Sequence, residues 1–243
     1  MKWGSFGLVH ITSLLLAASA MVGLYFALRR CSKRTQTLVL GILSFSGVAA
    51  IIFNLVMWNS PWEYLPFHLC SLNAMILPFA VFLRSKVLGN LLNLWNFGAL
   101  LAVVLNQAQA EFTLDSVTFW FYFVPHVLEF AIPLLLFRLR LVEKDYRCIP
   151  ATLGITIGMF TIIHLINKLL NGMFLAKGIL NSAGEILQVN YMYTIKPENP
   201  VLVMLHNILP YEYWYLYLSI PLVVIFLGIV YAPQLVNRYL RKK

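Results

Sequence analysis

Residues 38–58, LVLGILSFSGVAAIIFNLVMW, form a 21-residue run without a charged side chain, interrupted only by Ser44, Ser46 and Asn54. About 20 apolar residues are what a helix needs to cross the hydrocarbon of a bilayer, where the backbone must satisfy its own hydrogen bonds. Six further runs have the same character: 8–28, 64–83, 88–105, 119–137, 149–170 and 213–231. The run 88–105 is the weakest, because Asn90, Asn93 and Asn96 recur at helical spacing and give one polar stripe. The pattern predicts an all-α, polytopic membrane protein: seven transmembrane helices in one membrane domain covering residues 1–243.

Composition points the same way. Of 243 residues, 60% are hydrophobic and only 11% charged, whereas soluble domains run near 45–50% apolar with about a quarter charged. Disorder, a secreted disulfide scaffold and a cytosolic enzyme are excluded on this ground. The net charge of +9 first suggests nucleic acid, but its distribution argues otherwise. Fourteen of the eighteen Lys and Arg residues fall in the segments following the first, third and fifth runs and in the C-terminal tail. The opposite loops carry only Lys2, Lys177 and Lys196, and Lys168 lies in the sixth run. Such asymmetry is the positive-inside signature. It predicts an external N-terminus and a cytoplasmic C-terminus, with the cations facing anionic head groups and no nucleic-acid partner. The expected location is the cell membrane, a bacterial plasma membrane.

Other readings are weaker. Lys2, an apolar stretch and Ala18-Ser19-Ala20 loosely fit a cleavable signal, but apolar sequence continues to Leu28 before Arg29-Arg30, so the segment reads as the first span. Cys31, Cys70 and Cys148 suggest no disulfide pair, and no C-x-x-C or Cys/His spacing suggests a metal. No Gly-rich phosphate loop, Walker lysine or G-x-S-x-G elbow occurs, so no cofactor is expected. The external segment 171–212 is too long to be an idle connection. Its short apolar stretches read as a lid or re-entrant piece. Tyr211, Tyr213, Trp214, Tyr215 and Tyr217 form an aromatic belt beside the last span.

Ionisable groups within spans are costly and mark function by default. Counting about 1.5 Å per residue from the outer helix ends, Cys70, His126 and His164 fall at one level, about 9–10 Å deep. Asn54 and Asn106 lie near the same end of their helices, and the cytoplasmic halves are almost free of such groups. Each deep residue has a companion one turn away: Asn73 for Cys70, Glu129 for His126, Asn167 and Lys168 for His164.

Every one of these also has an inert reading. Cys70 could be a small buried hydrophobe, and His126 could bond a neighbouring helix. Glu129 could pair with Lys168 or His164, and the latter two could snorkel outward. Taken together, Cys70, His126 and Glu129 supply a nucleophile, a base and a group to orient it, and Asn73 could donate to an oxyanion. At that depth they would meet phospholipid ester carbonyls, which makes acyl transfer or ester hydrolysis the predicted chemistry.

A resemblance adds to this. The segment Pro66-Phe67-His68-Leu69-Cys70-Ser71-Leu72, His126 on the fifth helix, and Asn190-Tyr191-Met192-Tyr193 with Lys196-Pro197 resemble the bacterial YwaF-type integral membrane family. That family is related to the eukaryotic transmembrane-protein-164 acyltransferases, and more distantly to membrane hydrolases that use threonine and histidine. The similarity runs from about residue 38 to 231. It implies a seven-helix fold, with Cys70 as the acyl-accepting nucleophile and His126 as its base; their separation of 56 residues is similar to that branch. Relatives often carry a Pro-Trp-Pro-Trp-like lead-in to the last helix, where this chain has Pro210-Tyr211-Glu212-Tyr213-Trp214.

The expected site therefore comprises Cys70, His126, Glu129 and Asn73 for chemistry. His68, Asn106, His164, Asn167, Lys168, Asn190 and Tyr191 are expected to bind the substrate. Membrane lipids are the expected acyl donor and acceptor. Two alternatives stay open: a transporter or channel lined by His126, Glu129, His164 and Lys168, and a non-catalytic membrane protein whose cavity holds a lipid.

Overall fold

The computed structural model describes residues 1–58, 60–105, 109–181, 183–198 and 200–240. Among these the chain is helical, and its only extended pairings are two isolated bridges, Lys2 with Thr113 and Leu180 with Ile186. The α-helices are α1 (Leu8–Leu28), α2 (Lys33–Met57), α3 (Leu69–Leu83), α4 (Lys86–Val104), α5 (Val117–Arg138), α6 (Ile149–Lys177), α7 (Pro200–Ile208) and α8 (Ile220–Leu240). Six helical stretches are long and apolar enough to cross a membrane; Leu69–Leu83 is a shorter apolar helix.

Local chemistry sets the boundaries. α2 starts at Lys33 because Ser32 caps it, its hydroxyl accepting the Thr35 N–H. α4 and α5 are capped in the same way by Ser85 and Ser116. α3 begins at Leu69, not at residue 64 as expected from hydropathy. Pro61 opens a 3-10 turn over Pro61–Tyr64, and Pro66 disfavours helical backbone at the residue before it. α6 runs past residue 170 to Lys177 and ends at Gly178, whose φ of 62° is the left-handed conformation glycine tolerates. The last helix starts at Ile220, after a 3-10 turn over Trp214–Ser219. The expected external segment holds α7 and a 3-10 turn at Tyr191–Tyr193.

The chain divides into two compact units. The first joins Met1–Asn59 to Leu69–Lys144. Here α2 packs on α3 and α5, and α4 packs on both α3 and α5. The face of α2 that makes these contacts is small: Gly41, Ser44, Gly47 and Ala50 are all buried. In lipid, helices associate through close packing more than through a hydrophobic drive, so a stripe of small residues lets backbones approach. Leu40, Leu77, Leu92, Ile132 and Leu136 close the core around it.

The second unit joins Ser60–His68 to Asp145–Lys243. The 3-10 turn at Tyr191–Tyr193 packs on α6, and α7 packs on the 3-10 turn that leads into α8. Only 11% of the apolar window containing α6 and 17% of that containing α8 are buried, against 56% for α4 and 50% for α5. α6 and α8 thus present most of their apolar surface outward.

Candidate functional site

In the first unit, α3, α4 and α5 alternate in direction, so α3 and α5 run parallel. Asn73 on α3 donates its side-chain N–H to Glu129 Oε2 on α5 at 3.4 Å. That bond joins residues 56 apart in sequence, the separation that also relates Cys70 to His126. One turn earlier on each of two parallel helices, Cys70 and His126 therefore share a level. Glu129 lies within electrostatic reach of both.

Each of the four is positioned by its surroundings. Glu129 is 3% exposed and Asn73 is 1% exposed. A Cβ built on Gly47 of α2 would stand 2.5 Å from Ala74 Cβ and 3.1 Å from Glu129 Oε1. Only the missing side chain at Gly47 lets α3 and the carboxyl come this close. Asn73 Oδ1 has no hydrogen-bond partner among the described residues, an expensive omission in an apolar interior. One of the amide's two N–H donors faces Glu129.

His126 follows Pro125 within α5, and a proline inside a helix loosens the turn before it. Imidazole Nδ1 lies 2.7 Å from the Tyr122 carbonyl oxygen. A carbonyl can only accept, so Nδ1 carries the proton. In the neutral ring Nε2 then keeps its lone pair, the form a base requires. Tyr122 also packs its ring on the imidazole at 4.4 Å. It is held in turn by its hydroxyl's bond to the Ala102 carbonyl at 2.7 Å and by the edge of Trp3 at 6.1 Å.

Cys70 is the second residue of α3, not six residues down a longer helix as expected. The first turn of a helix carries N–H groups without intrahelical partners and the positive end of its dipole, both of which favour an anion. Ser71, the next residue, lies within reach of the sulfur. The signal was present in the sequence as Pro66, three residues before the helix start. Gly47 and Tyr122 were not foreseen, since neither carries a reactive group.

The second unit gathers the other expected residues. Asn167 of α6 accepts the Tyr191 N–H at 3.1 Å, and its amide donates to the Tyr191 carbonyl and to Thr194 Oγ1, both at 2.9 Å. His164 Nδ1 meets the same threonine hydroxyl at 3.2 Å. Thr194, fully buried, was missed by the sequence reading. Asn190 accepts the N–H groups of Ile195 and Lys196 and donates to the Lys196 carbonyl and Glu198. These bonds hold a tight loop in which Met192 and Tyr193 take φ values of 54° and 55°. Lys168 pairs with Glu212, and the partner of Glu129 is Asn73. The expected site residue Asn106 lies outside the described residues.

His68, ahead of α3, accepts the Met192 N–H on Nδ1 at 3.3 Å, which leaves Nε2 as the protonated nitrogen of a neutral ring. Burial pushes its pKa down, Glu198 acting in the opposite direction. His68 stands edge-on to Tyr191 at 5.5 Å. The Tyr191 phenol is pushed up to about 12, first by burial and then by Glu63. A cavity of about 130 Å³ lies among Glu63, His68, Asn171, Asn190, Tyr191 and Glu198.

These features define a class: an all-helical membrane protein in which parallel helices bring a thiol, an imidazole, a carboxyl and an amide to adjoining turns. Residues 5–230 match the TMEM164 family, and the chain belongs to that family. No curated protein and no solved structure matches it.

Proposed function

We propose that this protein is a membrane-embedded cysteine/histidine acyltransferase or lipid-ester hydrolase of the bacterial plasma membrane, YwaF-type, with seven spans. In this reading the N-terminus is external, the C-terminus cytoplasmic, and the chemistry lies on the outer-leaflet side. The observation that carries it is the parallel register supported by the Asn73–Glu129 bond, on which Cys70 is level with an imidazole whose Nδ1 donates to the Tyr122 carbonyl.

The steps follow from those groups. His126 Nε2 takes the thiol proton as Cys70 Sγ attacks the ester carbonyl carbon, and a C–S bond forms. The resulting oxyanion meets the free N–H groups of the first turn of α3. Collapse breaks the C–O bond, the alcohol leaves with the proton from the imidazolium, and an acyl-thioester remains on Cys70. An acceptor hydroxyl, or water, then gives its proton to His126 and attacks the thioester. The product ester or acid departs and the thiol is restored. Glu129 and Asn73 are positioning residues that hold the two helices in register. His164 and Asn167 support the loop around Asn190, Lys168 pairs with Glu212, and His68 and Tyr191 are assigned to a polar ligand.

A transport path receives less support, since the polar residues of the first unit that lack partners do not form a chain of ionisable groups. The test is labelling of the membrane-reconstituted protein with a thiol-directed acyl probe. Label should sit on Cys70 and vanish in His126→Ala. Equal labelling of Cys70→Ala contradicts the reading.

A further inference from the structure

A second histidine of the first unit, His10 near the start of α1, is fully buried and has no part in the reaction above. We propose that His10 is a positioning residue for the catalytic base: it clamps the C-terminal end of α4 and, with Trp3, fixes Tyr122 and thereby the His126 imidazole. The proposal rests on the Cys70–His126 reading and adds to it a residue that touches neither substrate nor thiol.

Both ring nitrogens of His10 are spent on backbone. Nδ1 accepts the Phe6 N–H at 2.9 Å, and Nε2 lies 2.8 Å from the Val103 carbonyl oxygen. A carbonyl only accepts, so Nε2 carries the proton and the ring is a neutral clamp, not a second base. What it clamps is informative. Ala102 and Val103 belong to the last turn of α4, whose carbonyls have no partner within the helix. The Val103 carbonyl goes to His10, and the neighbouring Ala102 carbonyl takes the Tyr122 hydroxyl at 2.7 Å. Two adjacent carbonyls thus tie α1 to Tyr122, the residue whose own carbonyl accepts the His126 Nδ1–H.

Trp3 supplies an independent route to the same tyrosine. The segment ahead of α1 turns through left-handed backbone at Gly4 and Phe6, with φ values of 69° and 55°. The Trp3 N–H bonds the Phe112 carbonyl at 2.7 Å and the Gly4 N–H bonds that of Ala110 at 2.9 Å, which lays the segment beside the residues leading into α5. The buried indole then stands edge-on to His10 at 5.1 Å and to Tyr122 at 6.1 Å, and its Nε1–H bonds Ser13 Oγ at 2.9 Å. His10 therefore reaches the support of the base twice, through the carbonyl pair and through the indole. A polar side chain between membrane helices often serves only as glue. Glue would hold the helices without setting the aim of an imidazole, and a base displaced by about 1 Å can cost about a hundredfold in rate.

The test is turnover of a fluorogenic lipid ester by the full chain in nanodiscs, expressed per folded molecule, with thermal unfolding measured alongside. His10→Ala should lower kcat by about tenfold to a hundredfold and change KM by less than about twofold. His10→Gln, whose amide can accept from Phe6 and donate to Val103 as the imidazole does, should restore kcat to within about threefold of the parent. Leu139→Ala, which empties part of a separate buried cluster at the far end of α5, should lower stability and leave turnover per folded molecule unchanged. If His10→Ala does not fold, Trp3→Leu, which removes the edge contact and leaves the carbonyl bonds in place, is read instead and should lower kcat in the same manner. Unchanged kcat in the folded variant, a rise in KM alone, no restoration by His10→Gln, or an equal loss in Leu139→Ala overturns the proposal. Normal turnover in His126→Ala ends the Cys70–His126 reading and this proposal with it. Normal turnover in His10→Ala beside an inactive His126→Ala ends this proposal alone.

Discussion

Two buried asparagines of the first unit differ from those of the second, although Asn90 of the first unit, which donates to the Lys86 and Glu143 carbonyls, does not. In the second, Asn167, Asn171 and Asn190 are occupied on both amide atoms, and every bond goes to the loop they hold. In the first, Asn73 Oδ1 and Asn93 Nδ2 are buried without partners among the described residues, although a helix-packing role would have been served by apolar side chains. The contrast separates asparagine used as scaffold from Asn73, bound on its amide nitrogen alone and one turn from Cys70. It also marks Tyr191 as the exception in its unit, a buried hydroxyl not spent on the loop.

The largest expected effect tests the first unit. His126→Ala should slow acyl transfer by about 10²–10⁴-fold, the usual contribution of a general base, with little loss of folded protein; turnover of a fluorogenic lipid ester checks it. A normal rate would remove the distinction between the two units. Next, Gly47→Ala should cost about 1–3 kcal/mol through overpacking against Ala74 and Glu129. It should lower activity as well, since the Asn73–Glu129 register is disturbed, and thermal unfolding alongside turnover reads both.

Asn167→Ala probes the scaffold class. It removes three hydrogen bonds to the loop and should cost about 1–3 kcal/mol for the buried groups left behind. Amide exchange should quicken at Tyr191 and spare α3 and α5. A smaller effect comes from pH. His68 has a pKa below its ordinary value because it is buried, so the unfolded loop binds the proton more readily. Its bond to the Met192 N–H is fully present above about pH 6.5, the value of the free side chain, and is lost as pH falls through the folded value below that. Met192 amide protection measured from pH 7.5 to 5 should decline accordingly, and a flat profile contradicts the assignment. Smallest of all is Lys168→Ala: the Lys168–Glu212 pair is about half exposed, and such pairs contribute about 0–1 kcal/mol.

Much of this molecule was legible in its sequence, for a simple physical reason. Lipid removes the competition from water, so 21 uncharged residues at 38–58 leave the backbone no choice but a helix. Companions at i+3 share a helix face, which is why the sequence pairs Asn73 with Cys70 and Glu129 with His126; the bond from Asn73 to Glu129 was not foreseen. What hydropathy could not supply was punctuation. Tyr64, Leu65 and Phe67 are as apolar as a span, yet Pro61 and Pro66 keep them out of α3, and this moves Cys70 into a first turn. Gly47 was illegible because an absent side chain acts only through what approaches it. The loop at residues 190–196 depends on Thr194 and on positive φ at Met192 and Tyr193, where no glycine advertises the turn.

The most direct measurement is the intact mass of the reconstituted protein quenched soon after exposure to a phospholipid ester donor. The account predicts one acyl group bound as a hydroxylamine-sensitive thioester at Cys70, formed far more slowly in His126→Ala and not at all in Cys70→Ala. An adduct of the same mass on Cys70→Ala, or one that forms at the normal rate without the imidazole, would contradict it.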